Sequence, residues 1–531
     1  MRSSRTCGHA IWAMVVLTML VATADARDEP LMIVSAQAEF GPDRGQSLGS
    51  LFEATTADGA LVIGAGFCDV YNTHVRMDRR VLQFFVRSAD GERQFTMEPL
   101  PRPWTATGAY MFNLGDRIVA ISGSGATTAR LWDPATHSWS ALQGRAPERV
   151  RIADGELATG EGRFYYDGRV ILDAPERGSY QKFYYAEGHL FFYHVDRGQE
   201  GYRPWESDDD GFSKLYACPW EPTDGAPVDL SRAVVETLPI VGETTFSWGQ
   251  HDGMVLTGSN IGGLYVFDDD AWRTVLAPTL NESFQVYTMV QYHDRLLLGQ
   301  YPTGELFSFE GDRLERLEGW PPRVEGVSPS ARECQTSMVW AGDLIVGVWP
   351  WGELWRHDEG AGRWYSMGRL FSHPEVHEEP IHPYETEAQE QGIVLNQWGQ
   401  RVTSMVPFGD SLLISTATKS PFEPDPEPEF MTAEELAEYG RVWRLRLPGC
   451  LSAPIHWTSE PTRFEFVITA GEMQIRQNDL PLATAPLAPE LARQIADSGP
   501  PVDPEWGSGA WGPFGGVAVT GTVSARPEPR E

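Results

Sequence analysis

The sequence predicts an all-β chain folded as a β-propeller of seven or eight four-stranded blades, with a small C-terminal β extension. One observation is a recurring phrase, in which a short apolar strand, a turn on His-Asp or Gly-Asp, a second apolar strand ending near glycine and an alternating aromatic strand follow one another. The phrase recurs about every 40 to 50 residues, which is the period of a propeller blade. Helical periodicity is nearly absent.

The first 26 residues predict a secretory signal peptide. Arg2 and Arg5 precede an apolar run at 10–22, and small residues follow it at Ala24 and Ala26. The run is too short to span a bilayer, and no later window approaches the roughly 20 apolar residues that a spanning helix needs. We therefore expect no membrane span and a secreted or periplasmic protein.

Residues 27–450 are predicted to form the propeller. A β-sandwich also has strands at regular spacing, but it would not repeat the same Met-Val and Gly-Glu-Leu phrases. The clear copies begin at Tyr110, Phe246, Tyr287, Thr336 and Thr403, and weaker units fit at 51–100, 150–175 and 178–237.

Residues 451–531 are predicted to be a β-rich extension with a disordered tail. Its strands either form a separate appendage, similar to lectin-like jelly-roll strands, or complete the last blade. The one clear helix signal comes earlier, where Thr432 and Glu435 have the spacing of a capping box.

The composition narrows the classes of partner and of site. A net charge of −32 repels nucleic acid and anionic lipid.

Four cysteines follow the leader and permit disulfides, with three possible pairings. Because no CxxC is present, four-cysteine zinc sites and thioredoxin-like chemistry are disfavoured. The four residues are Cys68, Cys218, Cys334 and Cys450.

One short segment carries a family resemblance. Leu131–Trp139, Leu-Trp-Asp-Pro-Ala-Thr-His-Ser-Trp, resembles the strand-turn-strand phrase of Kelch repeats. The wider pattern is similar to secreted bacterial propellers of the Kelch and sialidase-like kind. The paired glycines of Kelch units and the Ser-x-Asp-x-Gly-x-x-Trp boxes of sialidases are missing, so the resemblance implies architecture and no particular activity.

Three long insertions are predicted to share one face of the propeller. In a blade whose strands run A to D outward from the axis, the B–C and D–A connections emerge on the same side. Segments 196–211 and 419–439 are B–C insertions, and 371–399 is a D–A insertion. Elaborated loops on a rigid scaffold usually carry function, so this face is the predicted binding face.

Side chains on this face and in the first predicted unit suggest recognition of a polar ligand. Aromatic rings stack on sugar C–H groups, while carboxylates and guanidinium groups take paired hydrogen bonds. The leading hypothesis is therefore an exported protein that binds a carbohydrate or a similar polar small molecule. The candidate ligand-binding residues are Tyr301, Trp349, Trp351, Arg76 and Arg79.

Two rival functions stay open. The chain has no phosphate loop, Rossmann fingerprint or GxSxG elbow. A glycan-active hydrolase or lyase would use Glu333, which begins an inner strand, with Arg332 and Arg401. The third possibility is a protein-interaction scaffold.

No cofactor is predicted, with one alternative. His373, His377 and His382 are interleaved with glutamates and could bind a divalent metal. Their spacing is not HExxH and the neighbouring prolines favour an extended loop, so a solvated acidic loop is the competing interpretation.

Overall fold

The computed structural model describes residues 29–72, 77–123, 129–142, 149–198, 210–222, 225–280, 285–311, 313–327, 331–379, 381–390, 396–422, 424 and 427–525. The predicted leader and Arg76 lie outside these residues. Across the described ranges, no helix is long and apolar enough to cross a membrane.

The described chain is nearly all β, as predicted. Its first strands are β1 (Pro30–Glu39), β2 (Ser50–Thr56), β3 (Leu61–Phe67), β4 (Val70–Asn72), β5 (Val81–Ser88) and β6 (Thr96–Leu100). Next come β7 (Tyr110–Leu114), β8 (Arg117–Ile121), β9 (Arg130–Asp133), β10 (Ser138–Ala141), β11 (Arg149–Ile152), β12 (Gly155–Gly160), β13 (Arg163–Tyr166), β14 (Arg169–Leu172), β15 (Ser179–Ala186), β16 (His189–Asp196), β17 (Phe212–Pro219) and β18 (Val234–Thr237).

The chain continues with β19 (Thr245–His251), β20 (Met254–Ser259), β21 (Leu264–Asp268), β22 (Ala271–Leu276), β23 (Gln285–Tyr292), β24 (Arg295–Tyr301), β25 (Leu306–Glu310), β26 (Arg313–Arg316), β27 (Glu333–Trp340), β28 (Asp343–Trp349), β29 (Glu353–Asp358), β30 (Arg363–Arg369), β31 (Arg401–Phe408), β32 (Ser411–Ala417) and β33 (Val442–Arg446). The last strands are β34 (Cys450–Pro454), β35 (Thr462–Thr469), β36 (Glu472–Gln477), β37 (Leu480–Pro486), β38 (Pro501–Trp506) and β39 (Ala518–Ala525).

Short helices interrupt the strands at α1 (Pro383–Glu390), α2 (Ala433–Leu436) and α3 (Pro489–Ser498), with a 3-10 turn at Leu230–Arg232. Helix α2 is the helix predicted from the capping box. The Thr432 side chain accepts from the Glu435 backbone N–H, and the Glu435 carboxylate accepts from the Thr432 N–H. This prediction is confirmed.

The middle of the chain has propeller architecture, which confirms the prediction from the repeat. Within the described residues, six consecutive antiparallel meanders run from β7 to β30, and β31, β32 and β33 begin another. The first strand of each sheet lies innermost, because β19, β23, β27, β31, β7 and β11 contact one another in that order. Strand β15 joins the series through β19, and the sheets of β11 and β15 share one apolar cluster.

The glycine that recurs in each repeat lies where the innermost strand of the next sheet approaches. A Cβ atom on Gly347 would lie 2.4 Å from the Cβ of Val402, and one on Gly258 would lie 2.7 Å from the Cβ of Val286. Gly299 meets a backbone oxygen of the next sheet at 2.4 Å in the same way. The repeat therefore requires glycine because adjacent sheets pack closely.

The sheet of β31–β33 is completed by β6 from the N-terminal part of the chain. Leu100 pairs with Val442 and Thr96 pairs with Arg446. The unit predicted at 51–100 is thus wrong as a blade. Of its strands, only β6 and the short β4 pair with propeller sheets.

The remaining strands form a two-sheet sandwich, which corrects the predicted domain boundary at 27–450. One sheet has the order β34-β5-β3-β2-β38 and the other β37-β36-β35-β1-β39, with a shared apolar core between them. Strands from 30–88 therefore pair with strands after 450. The C-terminal strands do not complete the last blade, since β6 fills that place, and they do not form an appendage by themselves, since they share both sheets with β1, β2, β3 and β5.

The sandwich lies on the face of the propeller formed by the A–B turns. The Gly188 N–H donates to Arg44 O at 2.6 Å, and the His293 N–H donates to Ala510 O at 3.0 Å. The segment of chain that links β3 and β5 of the sandwich contains β4, which pairs with the innermost propeller strand β23. Strand β4 therefore lies on the axial side of the ring.

Buried ion pairs join the two parts. Arg87 of the sandwich lies 3.5 Å from Asp343 of the propeller, and Arg93 donates to Asp358 at 2.7 Å. The four cysteines of the predicted disulfides are all buried and free. None of the three pairings forms.

Candidate functional site

Two of the three long insertions pack together on one face. The strand orders make 419–439 a B–C connection and 371–399 a D–A connection, as predicted, and the A–B turns carry the sandwich on the opposite face. Trp398 packs edge-on against Phe422 and Phe430. We call the described residues of 371–399 and 419–439 the platform. Most of segment 196–211 lies outside the described residues.

Hydrogen bonds hold the platform together. The Ser372 N–H and hydroxyl donate to the Glu438 carboxylate at 2.7 and 2.9 Å. The Tyr439 hydroxyl donates to the Trp398 carbonyl at 2.5 Å. These buried or half-buried hydrogen bonds each join a residue of one insertion to a residue of the other, so the two insertions form one ordered surface.

Glu333 lies at the edge of the platform, at the start of the innermost strand β27, and its side chain is fully buried. Arg401 Nη2 donates to Glu333 Oε2 at 2.6 Å, and Lys419 Nζ lies 3.2 Å from Oε1. The predicted pair of Glu333 and Arg401 is thus brought together. Lys419 completes the group.

The electrostatics of this group follow from burial and from close opposite charges. Burial alone would lower the pKa of Arg401, but the Glu333 carboxylate raises it above its ordinary value. Burial lowers the pKa of the Lys419 ammonium, although Glu333 opposes that shift. Burial also raises the pKa of the nearby Tyr110 hydroxyl to about 12.

Lys419 also contacts two of the predicted ligand-binding rings. Its ammonium lies 4.4 Å from the ring centroid of Trp349 and 5.1 Å from that of Tyr301. These are cation–π distances. Sequence reasoning missed Lys419, although it is one of only three lysines in the chain.

Arg332 does not join this group, contrary to the prediction. Its Nη2 donates to Glu353 Oε2 at 2.9 Å and to the Pro322 carbonyl at 3.1 Å. Successive side chains of a strand point to opposite sides. Arg332 therefore binds the connection before β27, while Glu333 faces Arg401 and Lys419.

Trp351 is fully buried and apart from the Glu333 group. The His382 ring lies 4.2 Å from the Trp351 ring, and the Arg369 guanidinium lies 4.9 Å from it. Burial lowers the pKa of His382 to about 3, so this imidazole is neutral.

The three candidate metal ligands have other partners. His373 Nδ1 lies 2.5 Å from the Tyr384 hydroxyl, and its Nε2 lies 3.0 Å from the Glu435 carbonyl. His377 Nδ1 accepts from the Glu379 N–H at 3.0 Å. Among the described residues, no group of three or more His, Cys, Asp or Glu is arranged to hold a metal.

Arg79 lies on the sandwich side of the ring. Its guanidinium is hydrogen-bonded to Asp43, and Arg80 Nη2 donates to the other oxygen of the same carboxylate at 2.5 Å. Both arginines are buried. Arg79 therefore anchors the segment that carries β4 and does not contribute to the insertion-bearing face.

A second buried carboxyl that sequence reasoning missed lies at a D–A connection of this face. Glu243 is fully buried and accepts from the Tyr265 hydroxyl at 2.8 Å. Burial raises its pKa to about 7. A run of polar and small residues around Glu243 gives no local signal of this burial.

The Glu333 group is poorly arranged for catalysis. A general acid or base has to come within hydrogen-bond distance of the substrate. Glu333 instead directs its two oxygens to two protein cations in a site closed to solvent. The geometry is that of a structural ion-pair cluster, in which one carboxylate serves two cations.

Comparison with known proteins identifies no family. No family model matches the chain, and no curated protein matches it. The resemblance to Kelch and sialidase-like propellers therefore stays an expectation.

Several solved structures are similar at low identity. The Swd1 β-propeller domain from Myceliophteria thermophila is 12% identical, with a TM-score of 0.35, over 67% of this chain and 99% of that one. YCF48 from Cyanidioschyzon merolae is 10% identical, with a TM-score of 0.35, over 66% and 98%. BamB from Moraxella catarrhalis is 11% identical, with a TM-score of 0.32, over 74% and 95%.

Proposed function

We propose that the chain is a non-catalytic scaffold, a seven-bladed propeller closed by β6, whose platform binds a protein partner that carries basic and apolar side chains. The predicted leader would deliver it outside the cytoplasm, so the partner would be an extracytoplasmic protein.

The observation that carries this proposal is the combination of exposed apolar and acidic side chains on the platform. Val376 and Ile381 are 42% and 49% exposed. Glu375, Glu378 and Glu379, in the same segment of the chain, are also exposed. Exposed aliphatic groups rimmed by one sign of charge are typical of a protein-binding surface.

The charge of the platform selects the chemistry of the partner. Neither insertion contains arginine, and the one lysine, Lys419, is bound to Glu333. The surface is therefore acidic without internal compensation. A cationic amphipathic segment would gain both apolar burial and electrostatic complementarity there.

The order of the platform supports binding without a large conformational change. Trp398 and Tyr439 sit in the interior of the platform, and Glu438 joins its two insertions. A surface that is already ordered loses little conformational entropy when a partner docks.

The leading carbohydrate hypothesis has less support. A sugar stacks on a free aromatic face. Trp349 is 4% exposed and lies beneath Lys419, while Trp351 lies between His382 and Arg369. The hydrolase alternative is weakened by the ion pairs of Glu333.

The test is peptide binding measured by fluorescence anisotropy. A panel of arginine- and leucine-rich amphipathic peptides would be titrated into the wild type, into V376S/I381S and into L480S, a matched change at a 65% exposed leucine of the sandwich. We expect V376S/I381S to weaken binding about tenfold or more, and L480S to leave it unchanged.

Two outcomes would contradict the proposal. One is equal binding of the peptides by the wild type and V376S/I381S. The other is a positive glycan array, or a polysaccharide hydrolysis activity that E333Q abolishes under conditions where circular dichroism shows the variant to be folded. Either result would favour the carbohydrate or hydrolase alternative.

A further inference from the structure

Strand β39 is an open edge of the sandwich. Among the described residues its one strand neighbour is β1, with Val34 paired to Val523 and Gln37 to Thr520. An edge strand presents a row of unpaired backbone N–H and C=O groups, which is a template for a further strand.

The other three sandwich edges are protected against such pairing. Strand β37 contains Pro481 and Pro486, and β38 contains Pro501 and Pro504. Strand β34 is covered by the propeller, where the Ser452 N–H donates to the Gly409 carbonyl at 2.8 Å. Proline, charge and cover are the usual protections of an edge.

Strand β39 has none of these protections. Its sequence Ala-Val-Thr-Gly-Thr-Val-Ser-Ala contains no charged residue and no proline over eight positions. Valine and threonine favour extended strands. Val519 and Val523 pack against the sandwich core but stay partly exposed, while Thr520 and Thr522 are exposed.

The sequence of the strand identifies its partner. Val519 to Val523 is a palindrome centred on Gly521. A two-fold interface brings the same patch of both subunits together, so residue i meets j and j meets i. Antiparallel pairing about Gly521 places Val519 opposite Val523 of the second copy, and Thr520 opposite Thr522.

We propose that two copies of this chain associate through antiparallel pairing of their β39 strands. The five-stranded sheets would become one ten-stranded sheet, with cross-strand valine pairs on one side and threonine pairs on the other. This surface is separate from the platform, so the proposal does not depend on the proposed function.

The proposed two-fold register can be tested by placing charged side chains at positions 520 and 522. In T520K/T522K each lysine faces a lysine of the second copy, and like charges directly opposite oppose pairing. In T520K/T522E each lysine faces a glutamate. Sedimentation equilibrium of the full chain should show a wild-type dimer, at least about tenfold weaker self-association for T520K/T522K, and recovery for T520K/T522E.

Two further measurements guard against misfolding and general charge effects. T484K, an exposed position on the proline-bearing strand β37, should leave the dimer intact, and near-UV circular dichroism should match for all variants. Mixing T520K/T522K with T520E/T522E should restore a dimer. Each copy has a net charge of −32, so added salt should strengthen wild-type association.

A wild-type chain that stays monomeric over the whole concentration series overturns the proposal. Equal association of T520K/T522K and T520K/T522E also overturns it, because the two variants differ only at position 522, which the two-fold register places opposite position 520 of the second copy.

Discussion

At Glu333, one buried carboxylate is shared by Arg401 and Lys419. Replacing such an ion by a neutral group leaves uncompensated buried charge, which costs about 3 kcal/mol or more. We therefore expect E333Q to lower the free energy of unfolding by about that amount, measured by urea denaturation. Adding K419M should recover part of the loss, because it removes one of the two cations that E333Q leaves without a counter-charge.

The same variant separates a structural role from a catalytic one. If E333Q unfolds at the wild-type urea concentration, the structural role assigned to Glu333 is wrong. The neighbouring Arg332 shows why sequence could not decide this. Adjacency along the chain predicted a shared site, whereas strand alternation directs the two side chains to different partners.

The buried Glu243 predicts that the free energy of unfolding decreases as the pH rises. Its pKa is raised to about 7 in the folded protein from an ordinary value of 4.5. Between these values the folded state holds a proton that the unfolded state releases, so the stability contributed by this group is full below pH 4.5 and is lost as the pH rises to 7. The glutamine of E243Q does not titrate, so this variant should not lose stability over the same pH range.

We expect E243Q and the wild type to have similar stability at pH 4. At pH 8 the variant should be more stable by about 3.5 kcal/mol, since the pKa lies about 2.5 units above its ordinary value and each unit is worth about 1.4 kcal/mol. Unfolding curves at both pH values measure the difference. A constant difference at pH 4 and pH 8 would show that Glu243 does not titrate in this range.

At the scale of elements, the closing strand β6 ties the N-terminal part of the chain to the last propeller sheet. Pro99 lacks an N–H, so its position faces the open edge of the sheet, and the N–H of Glu98 faces β33. E98P should therefore break a ladder hydrogen bond and cost about 2 kcal/mol. Hydrogen exchange of the β33 amides should accelerate.

E98A is the matched control. Glu98 also pairs with Arg446 at 3.0 Å, and E98A removes that ion pair but keeps the N–H. Exposed ion pairs contribute little, so E98A should leave the exchange of β33 nearly unchanged. Equal effects of E98P and E98A would indicate that β6 does not close the ring.

The elements also show what local sequence could predict. The repeat predicted propeller sheets because neighbouring sheets impose the same glycine on each copy, as at Gly347 against Val402. The pairing of β6 with β33, and of β1 with β35, joins residues several hundred positions apart. Such pairings leave no local pattern, which is why the sequence wrongly predicts a blade at 51–100.

At the scale of the whole molecule, the sandwich and the propeller are joined by a buried charge cluster. Asp343 contacts Arg87, Arg93 and Arg356 at 3.5, 3.3 and 2.7 Å, and Asp358 contacts the same three arginines. Strand β4 adds a second connection, because it lies between β3 and β5 of the sandwich and pairs with β23 of the propeller. We expect one cooperative calorimetric transition for the wild type.

D343N/D358N leaves the three arginines without these carboxylates and should split the transition into two. R149A, which removes an exposed ion pair with Glu156, should preserve a single transition and change stability by less than about 1 kcal/mol. One transition in D343N/D358N would show that the cluster does not couple the two parts.

The candidate site was partly predictable at this scale. Strand order assigned 371–399 and 419–439 to one face, because the B–C and D–A connections of a propeller share a side. The partners of individual side chains were not predictable. Lys419 covers Trp349, and His382 covers Trp351, through contacts that only the packed platform creates.

Binding at the platform is tested most directly by hydrogen–deuterium exchange with and without the tightest-binding cationic peptide of the panel. We expect slower exchange in segments 371–399 and 419–439, and unchanged exchange in the sandwich strands β36 and β37. Protection confined to the sandwich, or no protection on the platform at saturating peptide, would contradict the proposed function.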